Sequence, residues 1–206
     1  MKVCFLKRQK GHTVKVGFDG GEEVLLDLDL CVQKCIHEGD DITEDELSEY
    51  IEESQYIRAK SRALWLLDRY QYTERRLYEK LKTAGFSDTA SKKAIDRLKE
   101  LGLIDDNALA LRYAENLSRR GVSKRATYQK MLAKGFSRDT VNSALQDTEF
   151  DECGQIKEII KSKYEKKICD GEVEKVYSAL IRKGFSYGAV RDALKEYSEE
   201  LKYSGE

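Results

Sequence analysis

Over 206 residues the chain carries 37 Lys and Arg against 38 Asp and Glu, five cysteines and no proline. That length suits one or two domains. With 36% of residues charged and the commonest helix breaker missing, a mostly helical protein is expected. The longest unbroken apolar stretch is the five residues 63–67, far short of the ~20 needed to cross a bilayer. The start MKVCFLKRQKG has no apolar core of a secretory signal. Neither a membrane span nor secretion is expected.

The near-zero net charge conceals a division along the chain. Residues 1–53 hold 6 basic and 14 acidic side chains, residues 54–148 hold 20 and 11, and residues 149–206 hold 11 and 13. An acidic first part therefore cancels a basic middle, and the middle calls for an acidic or polyanionic partner.

The first 40 residues differ from the rest. Their β-branched residues, the turn signal Asp19-Gly20-Gly21 and the alternation Val24, Leu26, Leu28 predict a hairpin or three-stranded sheet. Thr43 and Glu46 then form a capping-box pattern. It opens a helix expected to reach about Tyr70, with a break near Ser54. Cys31, Cys35 and His37 are spaced C-x3-C-x-H, but a closed zinc site needs four ligands. With Cys4, Cys153 and Cys169 they read as free thiols of a reducing cytosol, with no metal or other cofactor.

Beyond this point the chain repeats itself. Residues 78–96, 128–146 and 177–195 each open on Tyr and reach Gly-Phe-Ser seven residues later. Each then places Ala eight residues after the Phe (Ala94, Ala144, Ala193), followed by Ile95, Leu145 or Leu194. Leu77, Leu81 and Ala84, like Val173, Val176 and Leu180, recur at helical spacing. Gly85, Gly135 and Gly184 fit helix ends and Ser87, Ser137 and Ser186 fit the next helix starts. Upstream, 63–70, 107–117 and 156–164 read as amphipathic helices. Each unit is three short helices, and stacked units bury one another's apolar faces.

The expected organisation is mainly α: a β-rich extension over 1–53, helical repeats over 54–103, 104–150 and 151–200, and a tail over 201–206. Nothing calls for an oligomer, so a monomer is expected. Enzymatic signals are absent. Both histidines lie before residue 40, leaving no nucleophile–base constellation in the helices. There is no phosphate loop, dinucleotide fingerprint or H-E-x-x-H helix. Binding is the expected activity, and not catalysis.

The basic middle supplies a place for it. Between Asn116 and Arg138 there are seven cations and no acid. Arg119 and Arg120 close one helix, and Lys124 and Arg125 open the next beside its free N–H groups, which favour phosphate. Lys130 and Lys134 follow on the same helix, and Arg75 and Arg76 occupy the matching corner of the first repeat. The third repeat has Glu172 and Glu174 there.

The run LGLIDDNALALRYAENLSRRGVSKRATYQKMLAKGF (101–136), together with RALWLLDRYQYTERRLYEKLKTAGF (62–86), resembles the RecX family, bacterial regulators of the recombinase RecA. With the third repeat the resemblance covers about residues 60–200. The acidic extension is similar to that of longer members from Gram-positive bacteria. The chain departs from the family's habit at Leu109, Glu115 and Leu117. The resemblance implies an elongated, curved array of three-helix units in the cytoplasm. It implies binding within the groove of the RecA filament on single-stranded DNA, restraining ATP hydrolysis, strand exchange and co-protease activity in DNA repair and the SOS response. The residues themselves do not choose between DNA phosphates and acidic recombinase surfaces, and a stand-alone helical nucleic-acid-binding protein is the alternative.

Overall fold

The computed structural model describes residues 1–203, which sort into two compact units, Met1–Asp105 and the chain from Asp106 onward. The first opens with an antiparallel sheet of β1 (Val3–Arg8), β2 (Thr13–Phe18) and β3 (Glu23–Asp27) in that order. Its register sets Val14 opposite Leu26 and Val16 opposite Val24. Period-two alternation thus buries Val14, Val16 and Leu26 on one face, with Phe18, Ile36, Ile42 and Leu47 completing that core.

A short helix that the strand-like pattern concealed, α1 (Leu28–Gln33), follows at once. The Asp27 carboxylate accepts from the Asp29 N–H and caps it. Helix α2 (Glu44–Arg69) starts on the expected Thr43–Glu46 capping box. It does not break at Ser54. That residue is fully buried, and its hydroxyl oxygen accepts the Asp27 N–H at 2.7 Å. Serine here fastens the sheet to the helix instead of interrupting it. Removing residues 1–53 would accordingly cut α2 through its middle. We expect Ser54→Ala, which leaves a buried N–H without an acceptor, to lower the urea unfolding free energy by about 1–3 kcal/mol.

The rest of the first unit is α3 (Glu74–Thr83) and α4 (Asp88–Glu100). Ala59 of α2 meets Ala90 and Ala94 of α4, small side chains that allow the two helices to approach closely. Ala63, Leu66, Leu77, Leu81, Ile95, Leu98 and Ile104 form the larger core beside them.

The second unit contains α5 (Asp106–Arg119), α6 (Lys124–Lys134), α7 (Arg138–Asp147), α8 (Glu152–Ile159), α9 (Glu165–Cys169), α10 (Val173–Arg182) and α11 (Tyr187–Tyr203). A π-helical turn, Ile160–Tyr164, joins α8 to α9, so the helix expected over 156–164 is longer and locally widened. Residues 201–203 of the expected tail continue α11, and 204–206 lie outside the described residues. Leu109, Ala110, Ala114, Met131, Phe136, Val141, Ala144 and Leu145 form one core of this unit. Ile156, Ile160, Val176, Leu180, Phe185, Val190, Ala193 and Leu194 form another.

Most of the repeated positions have a packing role. Ala94, Ala144 and Ala193 are buried with the Ile95, Leu145 and Leu194 that follow them, and Phe136 and Phe185 are buried while Phe86 is half-buried. Ala84 is exposed at the C-cap of α3, and Val173 is exposed at the start of α10. The serines cap as expected: Ser87, Ser137 and Ser186 Oγ accept the N–H of Ala90, Thr140 and Ala189.

The helix ends share one closure. The N–H of Phe86, Phe136 and Phe185 reaches the carbonyl five residues back, on Leu81, Met131 and Leu180, bridging a left-handed glycine. Ile36 N–H makes the same bond to Cys31 O, but there Cys35 takes the left-handed position with φ 51°. A side chain in that region is strained by about 1–2 kcal/mol. Against it stands the roughly 0.5–1 kcal/mol that glycine's extra unfolded freedom costs. Cys35→Gly is expected to stabilise the protein, by about 0.5–1 kcal/mol as the difference of those effects; chemical denaturation should place its midpoint above that of the parent.

Candidate nucleic-acid interface

The cations predicted as binding residues fall into both units. In the first, Arg75 and Arg76 do not stand free. Arg75 Nε lies 3.1 Å and Arg76 Nη1 2.8 Å from the two oxygens of Glu79, and these hydrogen bonds hold the Glu79 carboxyl below its ordinary range. Helical i,i+4 and i,i+3 spacing creates this arrangement, and it halves the net charge of that corner.

In the second unit the corner between α5 and α6 takes the expected form. Gly121, at φ 69°, lets Val122 N–H bond Leu117 O at 3.0 Å. Ser123 Oγ then accepts the Ala126 N–H to start α6. Arg119 is paired with Glu115 at 3.3 Å. Arg120, Lys124 and Arg125 are exposed and have no carboxylate partner among the described residues. Lys130 is exposed on α6 but lies outside the groove that Lys124 and Arg125 line, and Lys134 rests 4.4 Å from the centre of the Tyr113 ring. The six cations expected in this unit therefore do not form one surface; the tight turn brings together Arg119, Arg120, Lys124 and Arg125.

Contacts from the third repeat hold that turn in place. Ser123 Oγ–H donates to Lys183 O at 2.9 Å, and Gln155 Nε2–H donates to Ser118 O at 3.0 Å. Ser118 Oγ–H donates in turn to Glu149 O. Gly184, at φ 91°, lies so close that a Cβ there would stand 2.8 Å from Ser123 Oγ and 3.4 Å from Ala126 N.

Lys124 and Arg125 overlook an open groove of about 1000 Å³, whose walls include Tyr128, Phe150, Phe185 and Tyr187. Lys124 Nζ is 5.9 Å from the Phe150 ring centre, and Tyr187 is largely exposed. Glu152 contributes the groove's one carboxylate among these residues, and it is engaged as acceptor of the Ser186 hydroxyl at 3.1 Å. Cations beside accessible aromatic rings can meet phosphate and base, or an acidic peptide with an apolar anchor. The groove was not foreseen from sequence because α6, α7, α10 and α11 bring its walls from distant positions. One signal was present: Tyr187 stands where the other repeats carry Asp88 and Arg138.

A family model described as RecX, first three-helix domain, matches residues 59–98. A curated Regulatory protein RecX from Clostridioides difficile is 30% identical over 170 residues, spanning 78% of each chain. One from Caldanaerobacter subterraneus subsp. tengcongensis is 28% identical over 191 residues, 92% of this chain and 95% of that one. Among solved structures, one described as regulatory protein RecX superposes with a TM-score of 0.68 at 22% identity, covering 95% of this chain and 98% of that one. RecX from Lactobacillus salivarius superposes at 0.65 with 17% identity, over 70% of this chain and 97% of that one. These two share the fold.

The surroundings of glycines at equivalent helix ends offer a test of how the corner is held. Gly85 and Gly184 both have φ near 90°, but a Cβ at Gly85 meets nothing within 4 Å. Gly184→Ala should destabilise more than Gly85→Ala, by about 1–3 kcal/mol from overpacking against Ser123. Thermal melts of the two variants side by side measure the difference.

Proposed function

The chain belongs to the RecX family of regulatory proteins, and from that premise we propose that it binds filaments of the RecA recombinase on single-stranded DNA and inhibits their ATPase, strand-exchange and co-protease activities. It acts as a monomeric cytoplasmic protein without chemistry or a cofactor of its own. Three helical repeats, with boundaries at about 54–103, 104–150 and 151–200, follow an acidic extension over 1–53. The observation that carries the reading is the unneutralised triad Arg120, Lys124 and Arg125 at a turn braced from both sides by hydrogen bonds.

A basic corner held in place suits an extended polyanionic or acidic surface better than a small molecule. Its charges are spread over the turn instead of converging on one point, and the groove beside it is open. Arg119 adds to the field despite its Glu115 partner, since an exposed ion pair is weak and exchanges readily. Lys130 and Lys134 add to that field from α6, the helix of Lys124 and Arg125, and Arg75 and Arg76 contribute positive charge within the first unit.

Added to preformed recombinase filaments at near-stoichiometric amounts, the protein is expected to lower their ATPase rate. Replacing Arg120, Lys124 and Arg125 together by Glu should raise the concentration needed for half-inhibition at least about tenfold, equivalent to 1.4 kcal/mol. An unchanged filament ATPase in the presence of folded parent protein would reject the proposal.

A further inference from the structure

The second half of α2 carries a surface that neither the repeat pattern nor the basic corner uses. The first half of that helix, 44–57, has six acidic residues and no basic one, whereas 58–69 has four basic residues and one acid. Arg58, Arg62, Trp65 and Arg69 follow one another at spacings of four, three and four, which puts them on one face. Arg62 Cζ lies 4.3 Å and Arg69 Cζ 4.0 Å from the centre of the Trp65 ring. Arg58 Cζ sits 5.9 Å from the Phe86 ring.

Two features of this strip need explaining. The first is missing counter-charge. Several other arginines find carboxylates one helical turn away, as Arg75, Arg76, Arg97 and Arg119 do. Arg62 and Arg69 have none at the positions three or four residues away, and neither makes an ion pair among the described residues. The second is the indole, which is 45% exposed, with Leu64 and Tyr70 also exposed nearby in sequence. An exposed indole contributes less to a core than a buried one, but here it holds two guanidinium groups in place. Their side chains then lose less freedom when an anion arrives.

We infer that Arg62, Trp65 and Arg69 form a site for a single-stranded nucleic acid, in which the guanidiniums bind backbone phosphates and the exposed planes of the arginine–indole stack accept a base. Their Cζ atoms stand 4.3 and 4.0 Å from one ring centre, so the two guanidiniums are close enough to meet neighbouring phosphates of one strand. Charge alone would equally suit an acidic peptide. The exposed indole favours the strand, because bases stack on aromatic and guanidinium planes while carboxylates leave such a ring in water. Arg58 extends the positive strip by one more turn. This site lies in the first unit and requires no recombinase, so it stands apart from the function proposed above.

Trp65 is the sole tryptophan, so its emission reports on the site directly. The full chain is titrated with oligothymidylate at low salt, without recombinase, and affinity is read in parallel from the anisotropy of a labelled oligonucleotide. Saturable quenching of the indole is expected. Arg62→Gln with Arg69→Gln should weaken binding about tenfold and reduce the slope of log affinity against log salt by about 1.4, at roughly 0.7 for each phosphate no longer neutralised. Both side chains are exposed, and an unchanged helical circular dichroism spectrum confirms that the variant is folded. Replacing Arg120, Lys124 and Arg125 by Glu should leave the indole quenching in place, which separates this site from the corner. Emission unmoved by saturating strand, or a double variant that binds like the parent, overturns the inference. So does equal quenching by polyglutamate, which would assign the strip to an acidic protein segment.

Discussion

The backbone bond that closes most of the short helices is the constraint on which the helical part depends. An N–H reaches back five residues across a left-handed position to a carbonyl otherwise left open at the helix end. It recurs from Phe86 to Leu81, Leu103 to Leu98, Val122 to Leu117, Phe136 to Met131 and Phe185 to Leu180. All five acceptor residues are buried, so the bond that ends the helix also orients its last core side chain. Chain reversal, helix length and core placement are thereby linked at one point.

This closure gives a chain without proline its stops. Serine or threonine immediately after most reversals satisfies the first N–H groups of the next helix, so neither end is left bare. The repeat remains legible in sequence because glycine, the apolar residue after it and the capping hydroxyl have few substitutes. The third repeat loosens the pattern: α10 has no side-chain cap at Glu172, and the helix before it contains the π-helical turn. Ile160, which opens that turn, is fully buried within the core.

Charge is distributed on a different logic from the core. A basic count over a segment overstates its field, because helical spacing pairs many cations with nearby carboxylates. Glu79 takes up Arg75 and Arg76, and Glu115 takes up Arg119. Some of the cations that remain lie against aromatic rings instead. Arg62 and Arg69 rest on an indole, and Lys124 approaches Phe150. Such contacts hold a cation without cancelling it, which suits a surface whose counter-charge comes from elsewhere.

The sequence by itself determined the class of the protein, its repeat and its caps. Those depend on interactions within a few residues, where glycine, serine and the spacing of leucines have local consequences. It also marked the turn that carries Arg119, Arg120, Lys124 and Arg125. It misread Ser54 as a break and passed over α1, because a buried hydroxyl acceptor and a six-residue helix are stabilised by partners distant in the chain. Only the tertiary structure decided which cations keep their charge, how Ser123 and Gly184 brace the corner, and which aromatic walls form the groove. Those outcomes depend on side chains 30 to 60 residues apart meeting at hydrogen-bonding distance, and no local pattern encodes them.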